Sequence, residues 1–201
     1  MISNLANDSL VYPTPGTTAR LDVGSDALFS GIPGSQLVNG EIRVRIATGA
    51  SASDTLGIAY DPSYAVGTAN LYSPGLIYVN TGVGGYRFGT VAGGGAGSDL
   101  VVTYWSSFPG QLDPVAATQI ILRSLTFRTT APGTPDRTFS VTVTDSNGDT
   151  TVPVVFGVNH AFAVAPAAPV VHSVPGVEGS ASLLLGAAIL AMAFMKLRRR
   201  R

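Results

Sequence analysis

Short runs in which apolar and polar residues alternate are the dominant pattern of this chain. In residues 41–46, Ile42, Val44 and Ile46 alternate with charged side chains, and residues 139–144 alternate apolar residues with Ser and Thr. A period of two places one face of a β-strand in a core and the other in solvent. Further runs rich in β-branched and aromatic residues predict strands at residues 56–60, 76–79, 86–90, 100–105, 125–128 and 152–158.

Turns rich in proline and glycine separate these runs, for example at residues 31–34 and 131–135. Strands with one buried face, joined by such turns, predict an all-β fold built as an antiparallel sandwich. Pro153 has no N–H to give to a neighbouring strand, so the last strand is expected at an edge or at a bulge. One short crossover helix is predicted, because Asp113 suits the N-cap and Pro114 suits the first helical position.

A second pattern is the uncharged apolar stretch at residues 181–195, which with its flanks at 179–197 counts about 19 residues. Roughly 20 residues cross a bilayer core, so the stretch predicts a transmembrane helix, with a buried core helix or a hydrophobic oligomerisation tail as the alternative. The side chains expected in lipid are Leu183, Leu184, Leu185, Ile189, Leu190 and Phe194. The cations expected to hold the C-terminus in the cytoplasm, with the body outside, are Lys196, Arg198, Arg199, Arg200 and Arg201.

These patterns divide the chain into a lead-in at 1–14, a sandwich at 15–159, a Pro/Ala-rich linker with a sorting motif at 160–180, and a membrane helix with its Arg cluster at 181–201. The first ten residues lack the basic and apolar regions of an export signal. An exported body is therefore expected to be the C-terminal piece of a longer protein, unless its start is misplaced.

Charge is distributed unevenly along the chain. Lys and Arg number 12, as do Asp and Glu, but five of the cations lie at positions 196–201, so the remainder carries seven cations against 12 acids. An acidic body without a basic stripe excludes a nucleic-acid partner. The absence of Cys excludes thiolate metal sites and cysteine nucleophiles.

Oxygen-bearing side chains alternate at Asp145, Asn147 and Asp149, which could hold calcium. The spacing fails the EF-hand pattern, and Asn147-Gly148 is also typical of a type I′ hairpin turn. Calcium is therefore the one cofactor considered, against a hairpin turn that needs no cofactor.

Tyr104 and Trp105 could form a stacking platform for a glycan, although a place in the core is the commoner role of such aromatic residues. For catalysis the sequence offers little: the two histidines, His160 and His172, lie in or beside the linker, and no nucleophile elbow is present. The body is therefore expected not to be an enzyme.

Several segments of residues 15–158 follow one another in a recognisable order. The early strand is Asp54-Thr55-Leu56-Gly57-Ile58, and the later segments are residues 88–94, 99–103, 115–127 and 137–145. In this order they resemble a bacterial cadherin-like repeat of the immunoglobulin type. The resemblance implies an immunoglobulin-like or cadherin-like sandwich that serves as a spacer or adhesion unit, often in tandem. Its partners would be neighbouring cells, a surface glycan or other repeats.

A short motif precedes the apolar stretch and the Arg cluster, and it contains Val174, Pro175, Gly176, Glu178 and Gly179. Together the three parts resemble the PEP-CTERM sorting signals that exosortases handle in bacteria. Pro-Gly stands where that family has Pro-Glu-Pro, so the resemblance supports anchoring and leaves cleavage open. It implies membrane lipid and a membrane sorting protease as partners, at the bacterial cell envelope.

Three functions are consistent with these patterns. The first is a non-enzymatic, membrane-anchored spacer or adhesion module at the C-terminal end of a larger exported protein. The second is a sandwich that itself binds calcium or a glycan. The third is the anchoring end of a larger exported hydrolase.

Overall fold

The computed structural model describes residues 1–11, 15–60, 65–72, 75–82, 84–131 and 136–159. Two short 3-10 helices in these residues are Leu5–Asn7 and Gly34–Gln36, and the α-helix α1 is Pro114–Ser124. The strands of the described residues are Ile2–Ser3 (β1), Ser9–Val11 (β2), Thr18–Arg20 (β3), Leu28–Phe29 (β4), Glu41–Thr48 (β5), Asp54–Ile58 (β6), Thr68–Tyr72 (β7), Leu76–Asn80 (β8), Gly85–Gly93 (β9), Leu100–Tyr104 (β10), Leu125–Thr129 (β11), Arg137–Thr144 (β12) and Val154–Asn159 (β13).

The strands form one large and two small sheets. The eight-stranded sheet has the order β2-β13-β12-β5-β10-β9-β8-β7, and the three-stranded sheet has the order β3-β11-β6. Strand β1 pairs with β4. Neighbours are antiparallel except β13 and β2, which run parallel. The structure is therefore mostly β, antiparallel and with one helix, as the alternation predicts.

Two layers cover the inner face of the large sheet. Phe127 of β11 meets Phe139 of β12 with ring centroids 5.1 Å apart, so the three-stranded sheet lies over β12 and its neighbours. Helix α1 contacts β7 and β8 instead. We call β2, β13, β12 and β5 the sheet-covered half, and β10, β9, β8 and β7 the helix-covered half. The arrangement is sandwich-like, with a helix completing the second layer.

Helix α1 begins where the sequence predicts. The Asp113 side chain accepts hydrogen bonds from the backbone N–H groups of Val115 and Ala116, at 2.9 and 3.2 Å. Pro114 occupies the first helical position, where its missing N–H costs nothing. The buried residues of helix α1 include Ala117, Ile121 and Leu122, which face the core.

The first eleven residues, expected as part of a lead-in, contribute two strands to the body. Strand β2 lies beside β13, and Leu5 is completely buried. The last strand is therefore not an edge strand, and its predicted extent was too long. Pro153 precedes the first residue of β13, and Val152 is 83% exposed rather than facing the core. Without an N–H on Pro153, regular pairing begins only after it.

A buried ion pair joins the two layers of the sheet-covered half. Arg137 of β12 donates from Nε and Nη2 to the two carboxylate oxygens of Asp54 on β6, at 2.7 and 3.1 Å. Both side chains are fully buried. The Ser51 N–H also donates to this carboxylate at 2.8 Å. A bidentate pair with an extra donor meets the hydrogen-bonding demand that burial creates.

Candidate binding surface

Tyr104 belongs to the core, which is the commoner of the two roles that its sequence context leaves open, and it is not available for glycan stacking. It is 3% exposed, and its hydroxyl donates to Thr118 Oγ1 of helix α1 at 3.1 Å. The Thr118 hydroxyl in turn donates to the Pro114 carbonyl. Its ring meets Phe88 edge-on at 4.8 Å, and burial raises the pKa of Tyr104. A ligand in solvent cannot reach this ring.

Trp105 lies on the opposite, outer face of the large sheet. Consecutive residues of an extended strand point to opposite faces, so Tyr104 and Trp105 could not share one platform. The backbone N–H of Trp105 donates to the Phe88 carbonyl at 3.0 Å, which continues the strand pairing just beyond β10. Trp105 is half-buried. The alternation itself contained this information, and the sequence interpretation did not use it.

Three further residues join Trp105 across the outer face. The Arg87 guanidinium lies over the indole, 4.9 Å from its centroid, and Arg87 Nε donates to Tyr78 Oη at 3.0 Å. The Tyr78 ring meets the Tyr72 ring at 4.9 Å, nearly perpendicular. We call Tyr72, Tyr78, Arg87 and Trp105 the aromatic–arginine row. Its members come from β7, β8, β9 and the residue after β10, so the row crosses the strands of the helix-covered half.

The row is both accessible and incompletely paired. Tyr72 is 43% exposed and Arg87 is exposed. Within the described ranges, Arg87 has no carboxylate partner. The buried Nε1–H of Trp105 likewise has no acceptor in the part of the chain described. The sequence interpretation missed Tyr72, Tyr78 and Arg87, because they meet only through the register of four strands.

The outer face of the sheet-covered half is charged instead. Asp99 accepts hydrogen bonds from Arg45 at 3.0 Å and from Arg43 at 3.3 Å, and Arg43 also pairs with Glu41. The hydrogen bond from Arg45 is the main reason that the pKa of Asp99 lies below its usual value; Arg43 adds to the effect and partial burial opposes it. These arginines are already neutralised by acids of the same face.

The proposed calcium ligands belong to a loop that satisfies itself. Asp145 is 6% exposed, and its Oδ1 accepts N–H groups from Asn147 and Asp149 at 2.8 and 2.9 Å. Gly148 has a φ of 87°, whereas Asn147 is not among the described residues with positive φ. The loop is therefore not a type I′ turn, which needs two such residues. The Asp145 carboxylate acts as an acceptor for its own loop.

A second group of acids lies near the N-terminal segment. The buried Asp22 accepts N–H groups from Asp26 and Ala27 at 3.2 and 3.1 Å, and Asp8 accepts the N–H of Val23 at 3.1 Å. Burial, aided by the charges of Asp22 and Asp26, raises the pKa of Asp8. Among the residues that the structure describes, no three His, Cys, Asp or Glu side chains are grouped to hold a metal ion.

The predicted linker, sorting motif, membrane helix and Arg cluster, residues 160–201, lie outside the described residues. Within the described ranges, no helix has both the length and the apolar character needed to cross a bilayer.

Comparison with known proteins adds no family. No protein-family model matches the chain, and a search of the curated proteins finds no significant match. A functional proposal for this chain therefore depends on its own sequence and structure.

Proposed function

We propose that this chain is a non-enzymatic module of the bacterial cell surface, a cadherin-like or immunoglobulin-like sandwich held outside the membrane by a C-terminal anchor. It acts as a spacer that carries adhesive material away from the membrane. The apolar stretch at 181–195 and the arginines after it supply the anchor in this proposal. A PEP-CTERM-like handling enzyme is its expected membrane partner.

The observation that carries the spacer role is the placement of the first and the last residues that the structure describes, Met1 and Asn159. Met1 and Ile2 lie beside residues 151–154, at the start of β13, where they line a common groove. The last residue that the structure describes, Asn159, lies at the other end of β13. Six extended residues separate the two points by about 17 Å, at roughly 3.3 Å per residue. First and last described residues at opposite ends of one strand suit a unit that adds length in line.

Rigidity supports the same role. The body has a bidentate buried pair, Asp54 with Arg137, between its layers and a capped helix closing the rest of its core. A spacer must keep its length under load, and buried, fully hydrogen-bonded contacts between layers resist opening.

Cell fractionation with protease shaving tests the proposal. The full chain, given an N-terminal export signal in a bacterial host, is expected in the membrane fraction with its body open to external protease. A matched variant lacking residues 181–201 is expected in the soluble exported fraction. Recovery of the full chain in that soluble fraction, alongside the shortened variant, would contradict the anchor.

A second matched variant tests orientation. Replacing Arg198, Arg199, Arg200 and Arg201 with Ser leaves the apolar stretch intact and removes four of the five cations that follow it, so that Lys196 alone remains. Membrane association is expected to persist, while the fraction of molecules with the body protected from external protease rises. An unchanged orientation would show that these arginines do not determine topology.

A further inference from the structure

We propose that the aromatic–arginine row, Tyr72, Tyr78, Arg87 and Trp105, binds an acidic polysaccharide through its sugar rings and carboxylates. This goes beyond a spacer role and moves glycan recognition from the buried Tyr104 to the outer face of the helix-covered half.

The shape of the row suits an extended chain. Neighbouring strands lie about 4.8 Å apart, so a row from β7 to the end of β10 spans three such steps, on the order of 14 Å. The contacts are continuous: Tyr72 meets Tyr78 at 4.9 Å, Tyr78 accepts from Arg87, and Arg87 lies 4.9 Å from the Trp105 ring centroid. Sugar rings have an apolar face of C–H groups, and aromatic rings are the side chains that stack on such faces.

Charge selects an acidic ligand. Arg43, Arg45 and Arg137 pair with carboxylates, and Arg123 and Arg128 donate to backbone carbonyls. Arg87 differs from these, because in the described ranges its partners are two aromatic rings and a phenol oxygen. Its positive charge is thus free for a carboxylate, with which a guanidinium forms strong charge-assisted hydrogen bonds.

The neighbours of the row favour a glycan over a peptide. Thr90 and Thr103 lie opposite each other on β9 and β10, and both are exposed. Thr103 precedes Trp105 by two residues and so lies on the same face. Hydroxyl groups beside aromatic rings match a ligand that has hydroxyls around an apolar face.

Trp105 is the sole tryptophan of the chain, so its fluorescence reports directly on the row. The full chain in detergent micelles, with EDTA present, is titrated with polygalacturonate. Two other polymers separate the parts of the proposal: dextran has sugar rings without carboxylates, and poly-L-glutamate has carboxylates without sugar rings. A saturable change in emission is expected with polygalacturonate, and affinities at least tenfold weaker with the other two.

Matched variants locate the site. Arg87→Gln and Tyr72→Ala are each expected to weaken polygalacturonate binding at least tenfold. The exposed Arg20 and Tyr60 lie outside the row, so Arg20→Gln and Tyr60→Ala are expected to bind as the unchanged chain does. Because Arg87 touches Trp105, affinity electrophoresis in polygalacturonate gels provides a readout independent of fluorescence.

Three outcomes would overturn the proposal. Equal binding of poly-L-glutamate would show a surface for acidic peptides, and equal binding of dextran would remove the role of Arg87. Unchanged binding by Arg87→Gln and Tyr72→Ala, with unchanged melting temperatures, would place any binding elsewhere. None of these results depends on where the chain resides in the cell, so they are separable from a failure of the anchored-spacer proposal.

Discussion

The two halves of the large sheet are covered by different layers and held by different forces. In the sheet-covered half, the Asp54–Arg137 pair crosses the layers in full burial. In the helix-covered half, the polar contact across the layers is neutral, from Tyr104 to Thr118. Breaking a buried pair leaves an uncompensated charge, whereas losing a neutral hydrogen bond costs about 0.5–1.5 kcal/mol. A single substitution is therefore expected to destabilise the protein most when it is made in the sheet-covered half. The aromatic–arginine row lies in the other half.

The largest expected effect comes from Arg137→Met. The substitution removes both guanidinium donors from the buried Asp54 carboxylate and leaves it the neutral Ser51 N–H donor. We expect a loss of about 3–5 kcal/mol in the free energy of unfolding. Urea denaturation followed by circular dichroism measures it.

The double variant Asp54→Leu with Arg137→Met provides the control. Replacing both charges with apolar side chains is expected to recover much of the lost stability, since a buried pair and its apolar replacement are often close in free energy. A double variant as unstable as the sum of both single variants would show that packing, and not charge, dominates this contact.

A smaller effect is expected at the start of helix α1. Asp113→Ala removes the acceptor for the N–H groups of Val115 and Ala116, which costs about 1 kcal/mol. Asp113→Asn keeps a capping oxygen and is expected to stay within a few tenths of the original free energy of unfolding. Equal losses in the two variants would mean that the negative charge, and not the hydrogen bonds, supplies the stabilisation.

Tyr104→Phe tests the neutral contact of the helix-covered half directly. The ring and its packing against Phe88 are kept, and the hydrogen bond to Thr118 is lost, so we expect a loss of about 1 kcal/mol. Tyr60→Phe is the matched control, because Tyr60 is 65% exposed and should lose almost nothing. A loss at Tyr104 as large as that at Arg137 would remove the difference between the halves.

Local patterns were enough to predict much of this fold. The alternation in residues 41–46 and 139–144 identified β5 and β12, and Asp113-Pro114 identified the start of α1. Strands β1 and β4 were not predicted, because two residues are too few to show a period of two. Their pairing depends on contacts between residues distant in sequence.

The candidate surface shows the same limit more strongly. The sequence interpretation paired Trp105 with its neighbour Tyr104. Its partners on the outer face are instead 18, 27 and 33 positions earlier in the chain, at Arg87, Tyr78 and Tyr72. Only strand order and register bring them together, and a bulge between β8 and β9 shifts that register locally. The sequence pattern alone does not give the order and register of the strands, so it could not predict that these four side chains lie together.

The smallest expected effects concern surface acids, and their signs are opposite. Asp99 has a lowered pKa, so its contribution is present above its usual pKa near 3.8 and is lost as pH falls through the lowered value. Asp99→Asn is therefore expected to cost about 0.2–1 kcal/mol at pH 7 and progressively less as pH falls below 3.8. Asp8 has a raised pKa, so its ionisation is a penalty above that value, and the penalty disappears as pH falls through it.

Asp8→Asn should therefore raise the melting temperature at pH 7, because it removes a charge that burial disfavours and that Asp22 and Asp26 repel, while an amide oxygen still accepts the Val23 N–H. Melting curves of both variants between pH 3 and pH 7 check the two signs. If the gain at Asp8 and the loss at Asp99 both shrink toward acid pH, the charge of each carboxylate affects stability as its surroundings predict. The charge of Asp8 then destabilises the fold, and the charge of Asp99 stabilises it. If the change in melting temperature of either variant did not depend on pH, it would come from packing or hydrogen bonding. For Asp99, this would mean that the outer face of β5 stabilises the protein through contacts other than ion pairs.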